Sequence, residues 1–416
     1  MVLIYHLFLF LYITGIRIAA LFLPKAALWI KGRKSLLPHI KSVLPHNEKR
    51  IWMHCASLGE FEQGRPVLEA YRKQYPDHKI LLTFFSPSGY EVRKDYEGAD
   101  YVFYLPMDSR RHARDFLHAV DPSLIIFVKY EFWYFYLTEA KKRNIPSILI
   151  SAAFRKEQAF FKWYGGFFRR ILSSFSYILV QDRASKELLQ GIGLQENVAV
   201  AGDTRYDRVD AIARNARPIP EIEAFRQLHL LIIAGSTWPA DEQALKAALP
   251  SVPENWKIVI APHEIDAAHI QQVQELFGTD AILFSQWKKT PQADKKILVI
   301  DNIGMLSSLY KYGEIAFVGG GYNKSGIHNV LEPAVFGLPV LIGPVYKKFV
   351  EAVALVQEGL VIVTPDEAAF QKDLAALIGN AAKRKQINEE LQLFMAQHTG
   401  ATERIMQLVE QLLNPD

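Results

Sequence analysis

Cysteine is almost absent from this 416-residue chain, with Cys55 the single copy. One thiol excludes a disulfide framework and a cysteine-built zinc site, and it fits a reducing compartment. Long apolar runs are absent beyond the first residues, which excludes a polytopic membrane protein. No tandem repeat and no low-complexity tract occurs. Charge of one sign is scarce too: 48 Lys and Arg against 44 Asp and Glu leave a net +4. Such an excess does not call for nucleic acid, but it suits anionic partners, including a phospholipid surface. What the chain does have is core-forming material, 50% hydrophobic against 22% charged residues, which excludes a disordered or collagen-like polymer. Its length exceeds one compact core, so two domains of roughly 150–200 residues are expected.

The apolar exception lies at the start. Val2–Ile16 reads VLIYHLFLFLYITGI, Arg17 interrupts, and IAALFLP continues to Pro24. About 20 apolar residues span the hydrocarbon layer, and this stretch reaches that length only with Arg17 inside it. No small-residue cleavage site follows, so a cleaved signal peptide is not expected. Aromatic and aliphatic residues on all sides argue against an ordinary buried helix. Residues 1–35 are therefore read as a membrane anchor, spanning or lying in the interface. Lys25, Lys31, Arg33, Lys34 and Lys41 would keep the chain that follows on the cytoplasmic face.

From Arg50 onward short apolar runs alternate with helical patterns. Strands are expected at Ile51–Ala56, Lys79–Phe84, Leu124–Lys129, Ser147–Ala152, Tyr177–Gln181 and Asn197–Ala201, then at Leu230–Ala234, Lys257–Ala261, Ala281–Phe284, Ile297–Ile300, Glu314–Val318, Pro339–Ile342 and Leu360–Val363. Strands alternating with helices mean parallel sheets in βαβ units. NARPIPE at Asn215–Glu221 reads as the linker. The expectation is α/β, with two doubly wound domains, 36–214 and 215–416, facing a cleft. In such sheets ligands sit beyond the carboxyl ends of the strands, so chemistry belongs in the strand-to-helix turns.

Each turn has a bland reading beside a functional one. In His54-Cys55-Ala56-Ser57-Leu58-Gly59-Glu60, Ser57 followed by Glu60 is a capping box. A carboxylate there is also placed to act as a general base. Ser86 and Ser88, in Phe85–Gly89, suit an ordinary turn or a polar ligand. Glu131 follows a buried strand, either as a solvated helix start or at the ligand edge. Arg205 pairs with a neighbouring aspartate or grips a phosphate or carboxylate. In Gly235-Ser236-Thr237 the glycine admits a ligand and Thr237 is a plain N-cap or part of an anion site. Pro262-His263 has no second histidine at metal spacing. Gly319–Ala334, GGGYNKSGIHNVLEPA, fits neither G-x-G-x-x-G nor a P-loop. It reads as a nucleotide pocket, the helix start receiving phosphate and Glu332 the ribose hydroxyls, or as a capping box of Asn329 with Glu332. In Arg155–Arg170, RKEQAFFKWYGGFFRR, basic residues interleave with aromatic ones. The segment is a helix packed by its aromatics or a surface that meets lipid headgroups.

The ordered set resembles the 3-deoxy-D-manno-octulosonic acid (Kdo) transferases of lipid A assembly over nearly the whole chain. The motifs are the anchor, His54–Glu60 as H-x-A-S-x-G-E, Ser86–Gly89, Glu131 with Trp133, Gly202–Asp207, Gly235–Thr237, and Gly319–Ala334 followed by G-L-P-V. The resemblance implies a GT-B fold and inverting transfer of Kdo from CMP-Kdo to a lipid A precursor, at the cytoplasmic face of the inner membrane. It implies no cofactor and no metal. The acceptor would bind domain 36–214, beside Ser57, Gly59, Ser86 and Ser88, and CMP-sugar would bind domain 215–416, whose last helix packs back on the first domain. Glu60 would be the base, and Glu131 and Arg205 would stabilise the transition state. Gly235, Ser236, Thr237, Pro262, His263, Gly304, Met305, Leu306, Gly320, Gly321, Asn329, Val330, Leu331 and Glu332 would hold the donor. The chain departs from the family pattern in several places. Pro262-His263-Glu264 stands for Pro-Arg-His, Arg205 for lysine, Asp203 for asparagine, Gly304-Met305 for Gly-Glu, and Ser151-Ala152-Ala153 for Asn-Ala-Arg. Two rivals share these features in part: another GT-B enzyme using a UDP-sugar, transferase or epimerase, and a membrane-tethered binding protein without activity.

Overall fold

The structure, a computed structural model, describes residues 1–414. The chain divides into two compact units. The first runs from Met1 to Asp207 and regains the chain at His398; the second is Arg208–Gln397. The segment 215–221 lies inside the second unit, a few residues beyond the division.

The first unit holds a seven-stranded sheet of β1 (Arg50–Cys55), β2 (Lys79–Phe84), β3 (Tyr101–Tyr104), β4 (Leu124–Val128), β5 (Ser147–Ala152), β6 (Tyr177–Val180) and β7 (Val198–Val200), in the order β3-β2-β1-β4-β5-β6-β7. The second unit's sheet has β8 (Leu230–Thr237), β9 (Trp256–Pro262), β10 (Ala281–Leu283), β11 (Ile297–Val299), β12 (Ile315–Val318), β13 (Val340–Ile342) and β14 (Val361–Val363), in the order β10-β11-β9-β8-β12-β13-β14. Every pairing is parallel. Central strands such as β1 and β4 are buried at every position, because helices cover both faces of a parallel sheet. That is why they read as apolar runs without alternation.

The sequence reading omitted β3. YVFY is short, sits at the sheet edge and pairs with β2 alone, so it carries no run long enough to mark it. The other strands appear where expected, with ends shifted by a residue or so; β8 extends three residues further, through Gly235, Ser236 and Thr237.

Helix Leu58–Gln74 follows β1, with Ser57 as cap and basic residues in its last turn. Its Phe61, Val67, Leu68 and Tyr71 bury one face in a core shared with Ile405, Met406 and Val409 of helix Ala401–Leu413. The returning helix is tied down at its start, where Gly400 N–H and Thr402 N–H donate to the carboxylate of Asp207 at 2.5 and 2.6 Å.

Helix Val2–Ala19 is long and apolar enough to cross a membrane, by length and composition. One stripe rests on the first unit: Leu9 is buried, Tyr5 lies among Tyr134, Phe135 and Phe167, and the Tyr5 hydroxyl donates to buried Asp108 at 2.6 Å. Leu3, Ile4, Leu7, Phe8, Phe10, Leu11 and Ile18 face outward, exposed. Just beyond, the Arg33 guanidinium lies over the rings of Trp29, Phe85 and Tyr104 and donates to the carbonyls of Leu105 and Phe85.

Candidate active site

In each sheet the strand order reverses beside one pair, β1 with β4 in the first unit and β8 with β12 in the second. Connections leave such a pair towards opposite faces, so the loops part and open a crevice at the carboxyl ends.

In the first unit that crevice is built by the loops after β1 and β4. Ser57 Oγ accepts from Glu60 N–H at 3.5 Å, so Ser57 does cap the helix. The Glu60 carboxylate accepts from Ala56 N–H at 2.5 Å and turns inward beside Glu131. Burial, and next the charge of Glu131, push the Glu60 carboxyl up to about 8; the Ala56 N–H bond and Lys129 oppose this less strongly. Glu131 is 7% exposed, so it is no solvated helix start. Its Oε2 accepts from Trp133 Nε1–H at 2.5 Å and lies 2.8 Å from His54 Nε2. Lys129 takes a left-handed conformation, φ 66°, as the chain leaves β4.

The loop after β2 is laced to this crevice. Ser86 N–H donates to the Ala56 carbonyl at 2.8 Å, the hydroxyls of Ser86 and Ser88 are 2.7 Å apart, and the Phe85 ring lies 4.9 Å from Trp133. A Cβ on Gly59 would meet Ser57 Oγ in ordinary contact at 4.0 Å. Arg205 closes on Asp203, Nη2 to Oδ2 at 2.6 Å and Nε to Oδ2 at 3.0 Å. The charges of Glu60 and Arg205 both bear on the Tyr130 hydroxyl.

In the second unit the crevice is lined by backbone and rings. Gly235 has no room for a Cβ, which would strike the Tyr310 hydroxyl and Leu306. Ser236 is left-handed, and Thr237 is not the expected N-cap: its hydroxyl donates to buried Glu242 at 2.9 Å, and Trp238 precedes the helix instead. Gly320 is left-handed at φ 87°, and its N–H donates to Asp241 at 2.8 Å. A Cβ on Gly321 would meet the Gly343 backbone. The His263 ring, following Pro262, lies against Trp238 and His328 at ring distances of 4.8 and 4.2 Å, and Trp238 Nε1–H donates to His328 Nε2 at 3.2 Å. Burial, then His263, lower His328 to about 4, so that ring is neutral at pH 7.

Gly304 is left-handed and Met305 precedes the single turn Leu306–Leu309. Val330 precedes an equally short helix, Leu331–Ala334, that carries Glu332. Asn329 Nδ2 donates to Glu332 Oε1 at 3.1 Å while Asn329 Oδ1 accepts from Leu331 N–H at 3.1 Å. Burial raises the Glu332 carboxyl, opposed by Asn329 and Arg208. Among the described residues, no three His, Cys, Asp or Glu side chains converge as a metal-binding group.

Sequence reading missed Asp241 and Glu242. Asp241 is fully buried and receives Trp238 N–H as well as Gly320 N–H; burial pushes its carboxyl up to about 6. Glu242 meets His269 Nε2 at 3.1 Å. In the sequence both look like ordinary acids in a first helical turn. The signal was the fixed spacing behind Trp238-Pro239, where an acid three residues on reaches back to the cap.

Two parallel α/β units, each with its crevice at a strand-order reversal, have the GT-B fold. The UDP-GlcNAc 2-epimerase of Neisseria meningitidis superposes with a TM-score of 0.60 at 16% identity, over 87% of this chain and 100% of that one. By sequence the chain is similar to the Kdo transferases: residues 31–208 match the family described as 3-Deoxy-D-manno-octulosonic-acid transferase (kdotransferase). The 3-deoxy-D-manno-octulosonic acid transferase of Haemophilus influenzae is 26% identical over 380 residues, 87% of each chain. That of Chlamydophila psittaci is 27% identical over 315 residues, covering 73% of this chain and 71% of its own.

Proposed function

We propose that this protein is an inverting glycosyltransferase that moves Kdo from CMP-Kdo to a lipid A precursor. The observation that carries the reading is the carboxylate pair of the first crevice. Glu60, with its carboxyl near 8 beside Glu131, is a stronger base than an exposed carboxylate once it is ionised. In the reaction Glu60 takes the proton of the acceptor hydroxyl. That oxygen forms the bond to the Kdo anomeric carbon as the bond to the CMP oxygen breaks, and CMP leaves with the electron pair. The leaving phosphate needs little acid help, and the cations Arg205 and Lys129 offset charge in the transition state.

The second unit is assigned to CMP. Gly235, Gly320 and Gly321 keep Cβ atoms out of the loops, and Glu332 with Asn329 presents a carboxylate suited to ribose hydroxyls. The reaction is proposed to proceed without a metal, and chelator treatment tests this: full loss of transfer would overturn it. The decisive experiment measures CMP released from CMP-Kdo with and without lipid acceptor. Acceptor-dependent release supports the assignment; release from a UDP-sugar alone would replace it.

The protein is further assigned to the cytoplasmic face of the inner membrane. The contact of Tyr5 with Asp108 and Phe167 favours a helix Val2–Ala19 that lies along the first unit with its outer apolar stripe in the lipid. The segment Arg155–Arg170 divides between the two readings given for it. Phe160 and Phe167 are buried, and Arg169 donates to the carbonyls of Phe160 and Lys162, so these build the fold. Trp163 is 92% exposed and Tyr164 51%, beside Lys162 and Arg170, and these suit a headgroup layer.

A further inference from the structure

Glu131 is steered by a side chain from a strand interior. Of its two carboxylate oxygens, Oε2 takes both hydrogen bonds, from His54 Nε2 at 2.8 Å and Trp133 Nε1 at 2.5 Å. His54 stands on β1, fully buried, with its ring pressed edge-on against Phe127 at 5.9 Å. Its other nitrogen, Nδ1, lies 2.8 Å from Thr83 Oγ and 3.1 Å from the Thr83 carbonyl oxygen. Trp52 Nε1–H donates to Thr83 Oγ at 2.7 Å, which turns the hydroxyl proton of Thr83 towards His54. A chain Trp52–Thr83–His54–Glu131 thus runs through the sheet to the crevice.

Thr83 offers Nδ1 two partners of opposite kind. The hydroxyl donates to a neutral ring, and the carbonyl accepts from a protonated one. In both states Nε2–H points at Glu131, and no buried polar atom of the ring is left unpaired. A carboxylate oxygen that accepts two N–H bonds is fixed in place by them.

We propose that His54 is the positioning residue of this site: with Trp133 it holds the Glu131 carboxylate aimed into the crevice beside Glu60. The proposal deepens the reading of Glu60 as the base. The other ionisable groups bearing on the two carboxylates are Lys129, Cys55, Tyr130 and Tyr5, with Arg155, Arg205 and Asp182 acting on Tyr130. Lys129 acts against the rise of Glu60, and Glu131 is the nearby charge that most raises it.

The test compares His54→Leu, which removes the bond, with His54→Gln, which keeps an N–H donor. The first readout needs no turnover: the carbon-13 carboxyl titration of Glu60 in the full-length protein. In the parent and His54→Gln, Glu60 titrates near 8. In His54→Leu, the Glu131 carboxylate is no longer held beside Glu60, its repulsion weakens, and the Glu60 titration falls by about one pH unit or more. The second readout is the pH profile of kcat with CMP-Kdo and lipid acceptor. There His54→Leu lowers kcat by about tenfold or more and carries the alkaline-rising limb to lower pH, while KM for the donor stays put. His54→Gln restores most of kcat.

An unmoved Glu60 titration in His54→Leu overturns the proposal, as does a glutamine variant that shifts it as far as leucine does. If His54→Leu does not fold, Thr83→Val and Trp133→Phe each weaken the hold on Glu131, and each must shift Glu60 in the same direction by less. If the parent protein releases no CMP, the transferase reading fails, and the titration still decides for or against His54.

Discussion

The two switch points are built on similar sheets from opposite materials. In the first unit, side chains do the work: Glu60, Glu131, His54 and Trp133 converge where β1 meets β4, and burial strips the carboxylates of water. In the second, backbone does most of it: Gly235, Ser236, Gly320 and Gly321 bring the main chain close at β8 and β12, and the histidine that flanks them is held neutral. A proton-moving site needs a group whose affinity for a proton is tuned by its surroundings. A site that grips a nucleotide needs room and fixed donors. On the assignment proposed above, one topology serves either task, and the residues at the strand ends decide which.

The sharpest way to separate the two crevices is Glu60→Gln. Turnover is expected to fall about a hundredfold or more, because glutamine cannot take a proton. CMP binding, measured by the nucleotide-induced rise in Tm, should not change. Near-normal turnover would mean that Glu60 only caps its helix.

Glu332→Ala probes the other side. Loss of a charged hydrogen bond to ribose is expected to weaken CMP binding by about 1.5–3 kcal/mol, read by titration calorimetry. The Glu60 titration should stay where it is. Unchanged CMP affinity would remove Glu332 from the donor site.

A smaller effect is expected in stability. The folded protein keeps the Glu60 proton up to about 8, whereas the unfolded chain releases it near the ordinary 4.5. Between those values the folded state binds more protons, so this group costs stability progressively as pH rises through that window. Glu60→Gln removes the cost, and its Tm should exceed that of the parent by a few degrees at pH 8.5 but not at pH 4. Equal Tm values at both would mean that Glu60 is not strained by burial.

The smallest effect concerns lipid. A form lacking residues 1–24 should still bind anionic vesicles at low salt and release them at high salt, at roughly 1 kcal/mol for each basic residue near the surface. Replacing Lys156, Lys162 and Arg170 with glutamine should abolish that binding. Arg169 is left intact because its guanidinium clamps the loop carbonyls. If the shortened form ignores such vesicles, the segment is structural and the first helix alone tethers the protein.

The strand pattern was legible because buried parallel strands such as LIIFV at β4 are apolar on both faces, and periodicity finds them without help from distant contacts. Glu60 was legible as a residue and ambiguous as a role. Its spacing from Ser57 makes a cap, and the cap is there, while its raised proton affinity comes from burial and from the charge of Glu131, far along the chain. His54 was visible only as a letter in a motif, since its bonds to Thr83 and Glu131 join three separate strands or loops. Asp241 was hidden for the same reason: its second partner, Gly320, belongs to a different loop. Of the two readings of Thr237 the N-cap falls away, because strand β8 runs on through it and its hydroxyl donates to Glu242.

The return of helix Ala401–Leu413 to the first unit has a consequence for synthesis. That helix supplies Ile405, Met406 and Val409 to the core beneath helix Leu58–Gln74, and its anchor points sit on Asp207. On the ribosome the second unit emerges whole while the first still lacks a wall. A greasy face that includes Phe61, Leu68 and Tyr71 must therefore wait until residues 401–413 are made, open meanwhile to chaperones. Stalling or proteolysis that removes the last helix should leave a folded second unit attached to an unfinished first one.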